Sequence, residues 1–217
     1  KRNLSTAEIL EQVSAAGAEL RHRDARLSNI VFMGMGEPLM NYKNVVRAIE
    51  KITSPDGLGM SPKRITVSTS GVPKIIKKMA DEEVKFKLAV SLHSALDEVR
   101  TDIMPFNEQM PLAELKESLQ YWYEKTGRRI TYEYVVWRGI NDQRRDIEAL
   151  IDFCLAVPSK VNLIEYNPID DGEFKQADPT AIDDYVNLLE ARGITVTVRR
   201  SRGKDIDAAC GQLANKS

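Results

Sequence analysis

Residues 29–41 read Asn-Ile-Val-Phe-Met-Gly-Met-Gly-Glu-Pro-Leu-Met-Asn. The β-prone run 29–33 breaks into two glycines, a carboxylate and a proline, and residues 41–52 then take up helical spacing. That is a strand, a glycine-rich turn and a helix. The unit recurs along the chain. Further β-rich runs lie at 64–68, 87–91, 131–136, 161–166 and 194–198, with helical periodicity at 72–82, 112–125, 144–155 and 179–192. A helix over 6–22, capped by Ser5, precedes the first strand, and 97–103 reads as a short extra helix. Strict strand–helix alternation specifies an α/β fold with a parallel sheet and helices outside it.

Six strands suit either an open doubly wound sheet or part of a (β/α) barrel. The residues that follow the strands favour the barrel. Small or polar groups stand at 34–38, 68–71, 91–94, Asn167 and 199–204. Barrel enzymes build their sites from many strand ends on one face, whereas open sheets use one crevice. The expected architecture is therefore a partial, TIM-like (β/α) barrel of parallel strands. Its leading helix suggests that a first strand lies upstream, leaving a raw sheet edge. No repeat or linker divides residues 1–217, which read as one domain.

Bulk properties narrow the class. No apolar run reaches the roughly 18–20 residues that span a bilayer, and residues 1–4 carry no secretory pattern. Two cysteines build no disulfide framework, which fits a reducing cytoplasm. A net charge of −1 demands a local basic surface if nucleic acid is bound. The densest basic stretch, Arg199 to Lys204, suits phosphate contacts or a solvated loop.

Each motif admits a functional and a plain reading. The glycines of Gly34-Met35-Gly36-Glu37-Pro38 let backbone approach a ligand, and Glu37 suits a ligand ammonium group; a simple turn is the alternative. This is not a dinucleotide fingerprint, because the third glycine is absent. Ser68-Thr69-Ser70-Gly71 suits a carboxylate or ribose, or plain helix capping. His93, in Ser91-Leu92-His93, has no Cys or carboxylate at metal spacing, so no zinc site is expected; His22 sits in a polar helix. Asn167-Pro168 suits an adenine edge, a ribose or a turn. Cys210, among small residues in Ala208-Ala209-Cys210-Gly211-Gln212, suits an accessible reactive thiol. Cys154, between Phe153 and Leu155 on a helix, reads as core, and Met33, Met35 and Met40 read as packing. Schiff-base chemistry of the aldolase type is discounted, since Lys63 and Lys87 fall at strand starts rather than strand ends.

In order and spacing these blocks, with Asn162-Leu163-Ile164 and Asp205 to Leu213, resemble the RlmN family of radical S-adenosylmethionine RNA methyltransferases. The resemblance runs from about Asn3 to Leu213. It implies a partial α/β barrel that binds S-adenosylmethionine beside a [4Fe-4S] cluster fed by an external electron donor. Gly36 and Glu37 match positions that hold the methionine amino group. Ser68 matches a sugar or carboxylate contact, and Ser91, Leu92, His93 and Asn167 match the remaining cofactor-binding positions. Cys210 matches the cysteine that is first methylated. A second cofactor molecule, cleaved reductively, then yields a radical that draws hydrogen from that methyl, and the methylene adds to carbon 2 of an adenine. The implied substrates are 23S rRNA and, in many members, tRNA. Carbon 2 is electron-poor, so a radical on a positioned cysteine succeeds where polar transfer fails.

The resemblance also has a gap. The family's Cys-x-x-x-Cys-x-x-Cys ligands have no counterpart among two cysteines, so no metal ligand is expected in this chain. The cluster loop, a general-base glutamate and an RNA-binding accessory domain are expected upstream, and the chain alone is expected to be inactive. Two rivals stand beside this reading: the related family that methylates adenine carbon 8, and a non-catalytic RNA-binding barrel.

Overall fold

The computed structural model of the chain describes residues 2–166 and 174–199. Six strands occupy the six β-rich runs: β1 (Ile30–Phe32), β2 (Ile65–Thr69), β3 (Lys87–Ser91), β4 (Ile130–Val136), β5 (Ser159–Glu165) and β6 (Thr195–Arg199). Between and before them lie α1 (Thr6–His22), α2 (Tyr42–Thr53), α3 (Pro73–Asp81), α4 (Asp97–Ile103), α5 (Leu112–Thr126), α6 (Arg144–Leu155) and α7 (Pro179–Glu190). β5 begins earlier than its apolar run, because Ser159 and Lys160 pair with Ile130 and Thr131 and are selected by the ladder rather than by hydropathy. α1 starts where expected: the Ser5 hydroxyl accepts from Glu8 N at 3.3 Å while Glu8 accepts from Ser5 N at 2.8 Å.

All strands pair in parallel, in the order β1-β2-β3-β4-β5-β6. Parallel neighbours need crossovers, and crossovers of one hand put every connecting helix on the same side. The strand side chains obey this. Tyr132 meets Phe153 of α6 and Tyr134 meets Tyr185 of α7, both with ring centroids 5.5 Å apart. Alternation then turns Glu133 and Val135 to the opposite, helix-free face. Residues of that inner face are nevertheless covered, with Ala89 at 0% and Glu133 at 4% exposure, so the sheet curves over it. The curvature is that of a partial barrel. The barrel is not closed, and among the described residues β1 pairs with β2 alone.

The main core lies between the sheet and the helices. Val45, Ile49 and Ile52 of α2, Ile76 and Met79 of α3, Leu115, Leu119 and Trp122 of α5, and Leu150 and Cys154 of α6 face it at three- and four-residue spacing. Each such side chain contributes about 1.5–3 kcal/mol on burial. This layer fixes the strands, and their carboxyl ends carry every loop discussed below.

Candidate active site

The loops after β1 and β2 are bound together by one carboxylate. Glu37 Oε1 accepts from Leu39 N at 2.8 Å and from Thr69 Oγ1 at 2.7 Å. Its Oε2 accepts from Ser70 N at 2.8 Å and from Ser70 Oγ at 2.7 Å. Four donors fill the acceptor capacity of a carboxylate. Glu37 thus serves as the joint between the glycine-rich turn and the Ser-Thr-Ser-Gly turn, and any ligand ammonium must share oxygens already in use. Gly36, next to it, has a φ of +85° and open space where a Cβ would stand. The turn therefore needs glycine for its backbone conformation and leaves its surface clear.

Ser68 lies on the inner face of β2 at 5% exposure, and its hydroxyl has no hydrogen-bond partner among the described residues. A buried hydroxyl left unpaired costs about 1–3 kcal/mol, so this position is waiting for a donor or acceptor from outside the chain.

At the end of β3, Leu92 points its side chain into the core at 0% exposure. Its backbone is also committed: N donates to Glu133 O at 3.0 Å, and O accepts from Arg100 Nε at 3.0 Å. His93 adopts the left-handed region with φ 58°. Three contacts over-determine it. Nδ1 accepts from Val135 N at 3.2 Å, which assigns the remaining proton to Nε2. Its carbonyl accepts from Asn141 Nδ2 at 2.7 Å, and its ring meets Trp137 edge-on with centroids 5.7 Å apart. Burial, and then the charge of Arg100, hold the imidazole down to about 4. His93 is thus a neutral ring at physiological pH, with Nε2–H its only donor.

Arg100 of α4 is 1% exposed. Besides Leu92 O, its guanidinium donates to Asn107 Oδ1 at 2.5 Å, Ser70 O at 2.5 Å and Ser91 O at 3.4 Å. The same cation thereby holds the ends of β2 and β3. Its partners are all neutral, and burial lowers its own proton affinity to about 10. Sequence reading missed this residue because a short helix with Asp97, Glu98, Arg100 and Asp102 looks like a solvated face.

Beside β4 and β5 the strand ends are aromatic. Trp137, Tyr166 and Phe174 pack with centroids 5.6–6.1 Å apart, and Ile103 and Ile140 line the same small cluster. Asn141, at 0% exposure, ties this wall to His93. It accepts from Trp137 N at 2.8 Å, and its carbonyl accepts from Tyr185 Oη at 2.6 Å. On the inner face Glu133 accepts from Asn162 Nδ2 at 2.8 Å and from Arg199 Nη1 at 3.3 Å. Sequence reading placed Glu133 in a strand without giving it a role, although a lone charge in Thr-Tyr-Glu-Tyr-Val-Val alternates onto the face opposite the tyrosines.

The structure therefore gathers Gly36, Glu37, Ser68, Ser91, Leu92 and His93 at the carboxyl ends of three adjacent strands. Asn167 and Cys210, and the basic stretch beyond Arg199, lie outside the described residues. Cys154 is core as expected, 4% exposed, with burial pushing its thiol up to about 12. Among the described residues no group of three His, Cys, Asp or Glu side chains is placed to hold a metal, and no helix is long and apolar enough to cross a membrane.

Comparison with known proteins now bears on this geometry. The model of the radical SAM superfamily matches residues 1–154. A protein of Christiangramia forsetii named "Probable dual-specificity RNA methyltransferase RlmN" is 70% identical over 100% of this chain, which spans 62% of that relative. A Cytophaga hutchinsonii protein of the same name is 50% identical over 100% of the chain and 60% of the relative. The chain thus spans about three-fifths of the length of these curated relatives. Among solved structures, a radical SAM methyltransferase from Sphaerobacter thermophilus superposes with a TM-score of 0.94 at 41% identity, over 98% of this chain and 62% of that one. Streptococcus suis SuiB bound to S-adenosylmethionine superposes with a TM-score of 0.67 at 13% identity, over 93% of this chain and 45% of that one, a likeness of fold alone.

Proposed function

Because this chain belongs to the radical SAM superfamily, we propose that it forms the S-adenosylmethionine-binding barrel of an enzyme that methylates carbon 2 of adenine in 23S rRNA and in tRNA. The observation that carries the reading is 70% identity along the whole chain to a relative named as a dual-specificity RNA methyltransferase.

The strand ends suit the cofactor on two counts. Ser68 keeps a buried hydroxyl without a partner, and Gly36 leaves open space above a left-handed turn. On this reading Gly36 and Glu37 take the methionine amino group, with Glu37 sharing oxygens that already brace Thr69 and Ser70. Ser68 contacts the sugar or carboxylate region, and Ser91, Leu92, His93 and Asn167 complete the binding positions. Since the Leu92 side chain is in the core, its contribution is to orient the backbone on either side. His93 supplies a neutral Nε2–H donor rather than an acid or base, as its low proton affinity requires. The bound cofactor supplies methyl and radical chemistry; the protein positions it. Cys210 is the thiol that carries the methyl to the base, and the target adenine leaves its stack to reach it, at a cost of about a few kcal/mol.

A [4Fe-4S] cluster does not fit this chain's own residues, because Cys154 is buried in the core and only one other cysteine exists. Its ligands are assigned to the part of the longer protein that this chain does not span, together with the contacts to an electron donor. The test uses the full-length protein, anaerobically reconstituted with iron and sulfide and incubated with 23S rRNA fragments, tRNA and S-adenosylmethionine. Nucleoside mass spectrometry is expected to find 2-methyladenosine, absent with Cys210→Ala. Formation of 8-methyladenosine would move the chain to the related carbon-8 family. No methylated product from a correctly reconstituted enzyme would leave an RNA-binding barrel.

A further inference from the structure

One line of polar side chains on the inner face has no role in the foregoing. The register aligns Ser91 of β3 with Glu133 of β4, Glu133 with Asn162 of β5, and Asn162 with Thr197 of β6. Alternation places all four on the same face. Glu133 is the centre of this line, 4% exposed on a strand whose other face is apolar core.

Both partners of Glu133 come from one side. Asn162 donates to Oε1 at 2.8 Å, and Arg199, whose side chain is half exposed, reaches Oε2 at a longer 3.3 Å. A carboxylate offers about four acceptor sites, so roughly two remain. They face the β3 side, where the Ser91 hydroxyl has no hydrogen bond among the described residues. One strand further, the Ser68 hydroxyl is buried and unpartnered on the same face. A buried carboxylate with spare acceptor sites, flanked by two unpaired hydroxyls, calls for a ligand that brings donors in adjacent pairs.

A latch holding β6 would not need this arrangement. The Arg199 contact is single and half exposed, a class of ion pair that stabilises weakly. An anionic ligand is repelled by the carboxylate itself. Two vicinal hydroxyls match it best: each O–H donates to one carboxylate oxygen, the chemistry by which acidic side chains read ribose in other nucleotide sites.

We propose that Glu133 is a binding residue for the vicinal hydroxyls of a ribonucleoside, with Ser68 and Ser91 as its neighbours on β2 and β3. This rests on the cofactor reading above and assigns the sugar of that cofactor to the inner face of β4.

The test is calorimetric and needs no turnover. Full-length wild type and Glu133→Gln are titrated with S-adenosylhomocysteine and with its 2′,3′-dideoxy counterpart. Wild type is expected to bind the dideoxy compound at least about tenfold more weakly, the scale of a lost charge-assisted hydrogen bond. Glu133→Gln is expected to weaken the natural ligand to a similar degree and to leave the dideoxy affinity unchanged. Equal binding of both ligands by wild type overturns the proposal, even if the variant fails to fold. So does a variant that weakens both ligands alike, which would mark Glu133 as purely structural. Failure of wild type to bind either ligand would sink the cofactor reading and this inference with it, an outcome distinct from the other two.

Discussion

His93 gives a pH dependence that can be worked from the structure. Its imidazole is held down to about 4, by burial first and by Arg100 second, against about 6.5 in an unfolded chain. The folded state therefore binds fewer protons than the unfolded state between those values. Stability from this group is fully present above pH 6.5 and is lost as pH falls towards 4, where the loss levels off. The whole shift corresponds to about 3 kcal/mol, and linkage puts about 2 kcal/mol of it between pH 7 and pH 5. Urea denaturation at these two pH values is the assay, comparing wild type with His93→Asn. Asparagine also tolerates the left-handed backbone that His93 adopts. The difference between the two proteins is expected to shrink by about 2 kcal/mol on going to pH 5, because only wild type loses the imidazole term. The carboxylates cancel in that comparison. A difference that does not change with pH would refute the neutral, enclosed imidazole, as would an NMR titration of His93 near 6.5.

Other outcomes follow from single contacts. Arg100→Leu leaves Asn107 Oδ1, Ser70 O and Leu92 O without their donor and should cost about 2–4 kcal/mol in denaturant unfolding. It should also let the His93 imidazole rise towards its ordinary range, a shift that NMR reads directly. Gly71→Ala puts a Cβ 2.8 Å from Leu115 Cδ1 at a φ of +105°, and is expected to destabilise by about 1–3 kcal/mol in the same assay. Leu119→Ala, at a fully buried site on α5, should cost about 2–5 kcal/mol. Cys154, buried and with its thiol pushed up to about 12, should resist iodoacetamide in the native protein and react once it is unfolded, as peptide mass spectrometry would show.

The strand–helix alternation was legible because each element announces itself locally. β-branched runs end at glycine, proline or serine, and helices such as α6 repeat apolar residues at three and four. The site was legible only in part, and the division is physical. Gly36, Ser68 and His93 stand where a strand gives way to a turn, so their position alone marks them. Glu37 was seen as a ligand group, whereas it first serves as the brace between two turns, a role that depends on β1 and β2 being neighbours. Arg100 and Glu133 were hidden for a related reason. A charge in a short helix or a strand is ordinarily solvated, and only the packing of non-adjacent segments shows that these two are buried. Asn141 escaped notice likewise, since its three partners come from three places in the chain.

The most direct test of the central claim is a crystal structure of the full-length protein, reconstituted with its cluster and bound to S-adenosylmethionine. The cofactor is predicted to lie across the carboxyl ends of β1 to β4, with its amino group at Gly36 and Glu37. The Ser68 hydroxyl, unpartnered in the chain alone, is predicted to hydrogen-bond to it. A cofactor bound elsewhere, with the Ser68 hydroxyl still unpaired, would contradict the account.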